Sequence, residues 1–345
     1  MPKFNEENER VKRDYIEYLT HAEGYDEASL DKVRSALREL EEAVGYKPFK
    51  AFHREWAARF KKYLDTRKNA RTGKPISLST RDSLLRQARG FIRWLSSQPG
   101  YRSRVSLSDV AYFNNSMKDA RAAHTQRPAR YPSIEQCNHA FRHMPENNEI
   151  QRRDKAKFAL IMLTGARAGA IASLRLKHVD LISGSIFQDG REVKTKGAKS
   201  FVSWFFPVDP MYREAFTAWI EFLRTELLYG PDDAVFPKQA VVVTGGKFGC
   251  GGLTRAPYSN AQTVSKVVKG AFRAVGLEEF NPHSIRKTLA FLGDRLCTTM
   301  EARKAWSQNL GHDSLATTVS AYMPLSPERQ AELLRDLCQS GLARF

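Results

Sequence analysis

The sequence predicts a mainly α protein with a small β-sheet or hairpin, built as a helical N-terminal domain over 1–121, a linker over 122–132 and a mixed α/β domain over 133–345. Three observations carry this. The first hundred residues repeat apolar positions three and four apart, the spacing of a helix with one buried face. That pattern breaks at "AAHTQRPARYPSIEQ", Ala122–Gln136, where two prolines interrupt a polar run. Strand-like residues then gather in a single region, "SGSIFQDGREVKTKGAKSFVSWFFPV", Ser183–Val208. A chain of 345 residues is long enough for two cores.

In order along the chain, helices are expected over Val11–Leu19, Ser29–Val44 and Lys50–Leu64. The next is the clearest, "SLSTRDSLLRQARGFIRWLSSQPG". Ser79 is read as its cap with Asp82 three residues on, and Gln98–Gly100 as its end. Leu84, Leu85, Ala88, Phe91, Ile92 and Leu95 share one face, while Arg86, Arg89 and Arg93 form a basic stripe on another. Ser133 is expected to cap the helix after the linker. Asp189-Gly190 marks a turn, and Lys-Gly-Ala-Lys the tip of a hairpin before a β-rich strand. "TGGKFGCGGLTRAP", Thr244–Pro257, lacks the Gly-Lys-Ser/Thr ending of a phosphate loop and is read as a flexible insertion. Ser326-Pro327 starts a last helix, about 325–345, with Leu334, Leu337, Cys338 and Leu342 as its apolar stripe.

Charge narrows the function. The chain carries a formal +17, unevenly spread: residues 51–130 hold eighteen Lys and Arg against five Asp and Glu, whereas residues 1–50 are slightly acidic. So concentrated an excess is the footprint of a polyanion-binding surface, and duplex DNA fits it. A helix burying one face and offering Arg86, Arg89 and Arg93 on another suits docking along phosphates or in a major groove. No apolar run reaches the roughly twenty residues that span a bilayer. The N-terminus is polar and acidic, without the apolar stretch of a secretion signal. Cys137, Cys250, Cys297 and Cys338 lie far apart and form no Cys-x-x-Cys pair, so neither a disulfide framework nor a zinc finger is expected. Cys137, His139 and His143 are close but lack a second ligand pair. The expected location is cytoplasmic and nucleoid-associated, with no membrane partner.

Four segments in the C-terminal two-thirds carry chemistry. "LTGARAGAIASLRLKHVDL" places Arg167 just after a Thr-Gly helix break. "VKTKGAKS" puts lysines on the hairpin. "NPHSIRKTLA" sets His283 and Arg286 one helical turn apart, and "LGHDSLATTVSAY" joins His312 to Tyr322. Attack on a phosphodiester needs cations to neutralise its oxygens in the transition state. Arg167 and Arg286 offer forked donors for that, and preorganised donors contribute about 10²–10³ each in rate. Tyr322, with an ordinary pKa of about 10, must lose a proton as it attacks, and His283 is the best placed to take it. His312 can hydrogen-bond the phosphate oxygens, and a hairpin lysine can protonate the leaving oxygen. Lys194, Lys196 and Lys199 are the candidates; the Lys-Gly-x-Lys pattern favours Lys196, with Lys194 next.

In this order the four segments resemble the tyrosine recombinase (phage integrase) superfamily over roughly Ser133 to Arg335. The resemblance implies that Arg167, Lys196, His283, Arg286 and His312 surround Tyr322. It implies a covalent 3′-phosphotyrosyl link resealed by another strand's 5′ hydroxyl, needing neither metal nor ATP. It further implies a DNA clamp made by the catalytic domain and a helical core-DNA-binding domain, working as a tetramer through a Holliday junction. A C-terminal helix making protomer contacts belongs to the same picture. The expected role is integration, excision or resolution of a DNA element at a specific site, which leaves open DNA-bending or directionality factors. One departure stands out: where the family places an acidic residue three after the first Arg, this chain has Ala170. A type IB topoisomerase-like relaxing enzyme and a non-cleaving DNA-binding regulatory relic are the rival readings.

Overall fold

A computed structural model describes residues 4–70, 72–124, 130–244 and 247–312, together with 330–332 and 335. The chain divides into two compact units, Met1–Arg127 and Pro128–Phe345.

The N-terminal unit is helical: α1 (Glu6–His21), α2 (Glu27–Val44), α3 (Glu55–Thr66), α4 (Leu78–Leu95), α5 (Leu107–Val110) and α6 (Met117–His124). Helix α2 buries Leu30, Val33, Leu37, Leu40 and Val44, and packs against the Leu85, Ala88, Phe91, Ile92 and Leu95 face of α4. Each large side chain so buried stabilises the unit by about 1.5–3 kcal/mol. Four local expectations change. The helix read over Lys50–Leu64 is two pieces, a 3₁₀ turn at Phe49–Ala51 and then α3. The cap of α4 is Ser77, whose hydroxyl accepts from Thr80 N, so Ser79 lies inside the first turn. The helix also stops earlier, with Ser96 as its C-cap. Helix α6 runs to His124, into the stretch read as linker.

The C-terminal unit starts with α7 (Ile134–Arg142), where Ser133 and Gln136 form a capping box. Helix α8 (Glu149–Thr164) is its core: every residue from Ala156 to Thr164 is buried, and α10 (Pro210–Thr225) packs along it. A helix apolar all round must be covered on all sides. Between them lie α9 (Ala168–Ser173) and an antiparallel sheet β1-β2-β3 (Val179–Asp180, Ser185–Gln188, Phe201–Trp204). In its register Phe187 faces Val202 and Ile186 faces Ser203. The β2–β3 connection is a broad loop with a 3₁₀ turn at Lys196–Ala198, not a tight hairpin tip, because buried Val193 anchors its middle. The segment read as a flexible insertion is instead an antiparallel hairpin of β4 (Gln239–Thr244) and β5 (Lys247–Leu253). The run of β-branched residues in "QAVVVT" is the signal for it. Helices α11 (Gln262–Ala274), α12 (Pro282–Leu296) and α13 (Met300–Asn309) follow. Tyr322 and the helix expected over about 325–345 lie outside the described residues, apart from positions 330–332 and 335. Among the described residues no helix is long and apolar enough to cross a membrane.

Candidate active site

The Thr-Gly break that precedes Arg167 has a local cause. Thr164 Oγ1 turns back to Leu160 O at 2.7 Å, and Gly165 caps α8 in the left-handed conformation at φ 61°. Any Cβ at Gly165 would come within 2.6 Å of Leu310 Cδ2, so closeness of packing demands glycine as well. The chain then turns, and Arg167 occupies the N-cap position of α9. On the other side, Asn281 caps α12 by accepting from Ser284 N, with Pro282 at the first turn. This helix start presents His283 and Arg286.

These two helix beginnings meet α11 around an open pocket of about 400 Å³. Arg167, Ser265, Lys269, Asn281, His283 and Arg286 line it, and among the described residues no acidic one does. Arg286 is 3% exposed. Its Nη1 donates to Gly165 O at 2.5 Å, and its Nη2 reaches Leu310 O and His312 Nε2, the latter at 2.8 Å. The guanidinium therefore lies across the carbonyl ends of α8 and α13, where helix C-termini favour positive charge. Buried His312, 4% exposed, is held by that bond and by its own N–H to Ser307 O. Burial lowers the His283 pKa below its ordinary value, and the charges of Lys287, Arg286 and Arg167 push it the same way. The residue still keeps contact with solvent, and at neutral pH its imidazole is a proton acceptor.

The loop carrying the lysines is tied to α9: Lys194 N donates to Ser173 Oγ at 2.9 Å, and Lys194 Nζ reaches Ser259 O at 2.7 Å. Lys196 is exposed on the 3₁₀ turn, and Lys199 lies 6.0 Å from the Phe201 ring. Strand β3 is fastened to α13 by Asn309, whose amide pairs with both Trp204 N (2.6 Å) and Trp204 O (2.9 Å). Ala170 is fully buried. Tyr258 is set apart from this pocket, its ring over Lys157 Nζ at 4.6 Å and near Arg153. Burial raises its phenol and pushes Lys157 down to about 8. Cys137 packs in the core, His139 and His143 are ring neighbours, and among the described residues no cluster could hold a metal.

In the N-terminal unit Arg86, Arg89 and Arg93 line one groove with Lys32. Arg86 and Arg93 are exposed, while Arg89 is half-buried and donates to Asn114. Sequence reading missed Ser173, Ser265, Lys269 and Asn309, whose types are common and whose positions matter only through partners distant in sequence.

Among the described residues the pocket gathers arginine, lysine and histidine on a helical scaffold, side chains whose N–H donors and positive charge suit an anion. The family model described as "Phage integrase family" matches residues 134–329, and the chain belongs to that family. Among curated proteins, tyrosine recombinase XerC of Pseudomonas entomophila (strain L48) is 29% identical over 173 residues, 50% of this chain. The match spans 48% of that relative, about half its length. Among solved structures, a lambda integrase dimer bound to a COC′ core site has a TM-score of 0.60 at 15% identity, covering 92% of this chain and 95% of that one. The XerH site-specific recombinase bound to a palindromic difH substrate, a post-cleavage complex, has 0.59 at 17% identity, covering 89% and 79%. Both likenesses are of fold: mostly helical, two-domain and with small sheets.

Proposed function

We propose that this chain is a site-specific DNA recombinase that cuts and rejoins duplex DNA through a 3′-phosphotyrosine at Tyr322. The observation that carries the reading is that Arg286, buried and bonded to His312, lines the same pocket as His283 and as Arg167, a residue more than a hundred positions earlier in the chain. In this reading Arg167 and Arg286 neutralise the non-bridging oxygens of the scissile phosphate, and His312 holds Arg286 and the phosphate in line. His283 takes the Tyr322 proton as its oxygen attacks phosphorus. Lys196 donates a proton to the departing 5′ oxygen, so the bond made and the bond broken are both phosphoesters and no ATP is consumed. Reversal by a 5′ hydroxyl of a second duplex gives strand exchange. Arg86, Arg89 and Arg93 track the duplex backbone from the N-terminal unit, so that both units grip DNA. The likeness of fold to a lambda integrase tetramer bound to a Holliday junction supports the reading of assembly as a tetramer on DNA.

Covalent trapping tests the reading. The protein is incubated with DNA from the flanks of its own gene, in EDTA and without ATP, then denatured. A protein–DNA adduct that vanishes in Tyr322→Phe is the expected result. Tight binding to the same DNA without an adduct, across the full set of flanking fragments, favours the non-cleaving DNA-binding reading.

A further inference from the structure

Lys269 stands in this pocket without an assigned task. Helix α11 buries Val264, Val268, Ala271 and Phe272, which fixes its rotation. Ser265 and Lys269, one turn apart, consequently fall on the flank that lines the pocket. Two other lysines of this unit that lose water have a carboxylate beside them: Lys157 has Asp154 at 2.8 Å, and Lys155 has Glu146 at 3.1 Å. Lys269 is half-buried, and among the described residues it makes neither a hydrogen bond nor an ion pair. Its neighbours in the pocket are Arg167, Arg286 and His283. Like charges gathered in this way repel one another, and an anion that enters relieves the repulsion.

The pocket has room for more than one phosphate, roughly a dozen water volumes. Arg286 already spends donors on Gly165 O, Leu310 O and His312. Its geometry is fixed, as a reacting phosphate requires. Lysine is a mobile point charge on a long stem, suited to neutralising a phosphate that is held but not transformed. We infer that Lys269, assisted by the Ser265 hydroxyl, is a phosphate-binding residue for the phosphodiester next to the one that Arg167 and Arg286 face. This rests on the DNA reading of the pocket given above.

The test uses the full chain carrying Tyr322→Phe and a fluorescent mixed-sequence duplex. Binding constants are measured across a salt series for this parent and with Lys269→Ala, Lys269→Gln or Lys269→Arg added. With one phosphate fewer neutralised, the slope of log K against log salt falls by about 0.9 in magnitude, and arginine restores it. A residue that merely supports the fold would weaken binding without moving the slope. A steep parental slope left unchanged by both Lys269→Ala and Lys269→Gln overturns this inference and leaves the proposed function standing. A parent that binds DNA without salt dependence overturns both.

Discussion

Gly311 joins the carbonyl that receives Arg286 to the histidine beside it, and replacing it by alanine isolates how tightly this junction is packed. Gly311 has φ 71°, and a Cβ there would lie 2.8 Å from Phe201 Cε2 and 3.0 Å from Cε1, inside the ring's envelope. An L-residue in the left-handed region costs about 1–2 kcal/mol, from which the lower chain entropy of unfolded alanine returns about 0.4–1. Overlap with the ring adds about 1–3 kcal/mol, so Gly311→Ala destabilises the unit by about 2–3 kcal/mol. Phe201→Leu removes the atoms that clash. In that background the glycine substitution retains only the backbone part, about 1 kcal/mol, and the cycle yields a coupling of about 1 kcal/mol or more. Urea-dependent hydrogen exchange of the buried α8 amides reads this unit's stability without the transition of the N-terminal unit. A penalty under about 0.5 kcal/mol, or one equal in both backgrounds, would show that ring packing does not set the position of this segment.

Three further outcomes are expected. Arg286→Lys cannot span two carbonyls and His312 with one ammonium; it leaves buried acceptors unpaired at about 1–3 kcal/mol and lowers the single-turnover rate of adduct formation by about 10²–10³. Retained rate with retained stability would rule out a forked role. If His283 is the base, activity needs its neutral form; with its pKa depressed, the acid limb of the cleavage rate lies below about pH 6.5, and Lys287→Gln, which removes a neighbouring cation, moves that limb upward. A limb that stays put or moves down contradicts this. Arg86, Arg89 and Arg93 all changed to alanine flatten the salt dependence of DNA binding by about 0.9 for each phosphate no longer neutralised. Unchanged affinity and slope would remove the stripe from the DNA surface.

How much of this protein is legible in its sequence depends on the range of the interaction. Gly165 and Ser133 announce a helix end and a helix start through partners within a few residues, and their motifs state it directly. Ser77 and Ser79 are harder, since both are good caps two residues apart and only the backbone, extended at Ser77 and helical after it, decides between them. The β4–β5 hairpin escapes sequence reading because its glycines resemble those of a loop, and strand pairing joins separate segments.

By itself the sequence determined the helical class and the basic N-terminal block, which rest on periodicity and composition, both local quantities. Its motifs, in the order Arg167, His283, Arg286 and His312, also carried the resemblance to the family. Only the tertiary structure decided that Arg286 reaches across 121 residues to Gly165 O and closes on His312. It also decided that Asn309 fastens β3 to α13, and that Lys269 opens into the same pocket. Such placements depend on how α8, α11, α12 and α13 pack around a common core, a many-body outcome that no short window of sequence encodes.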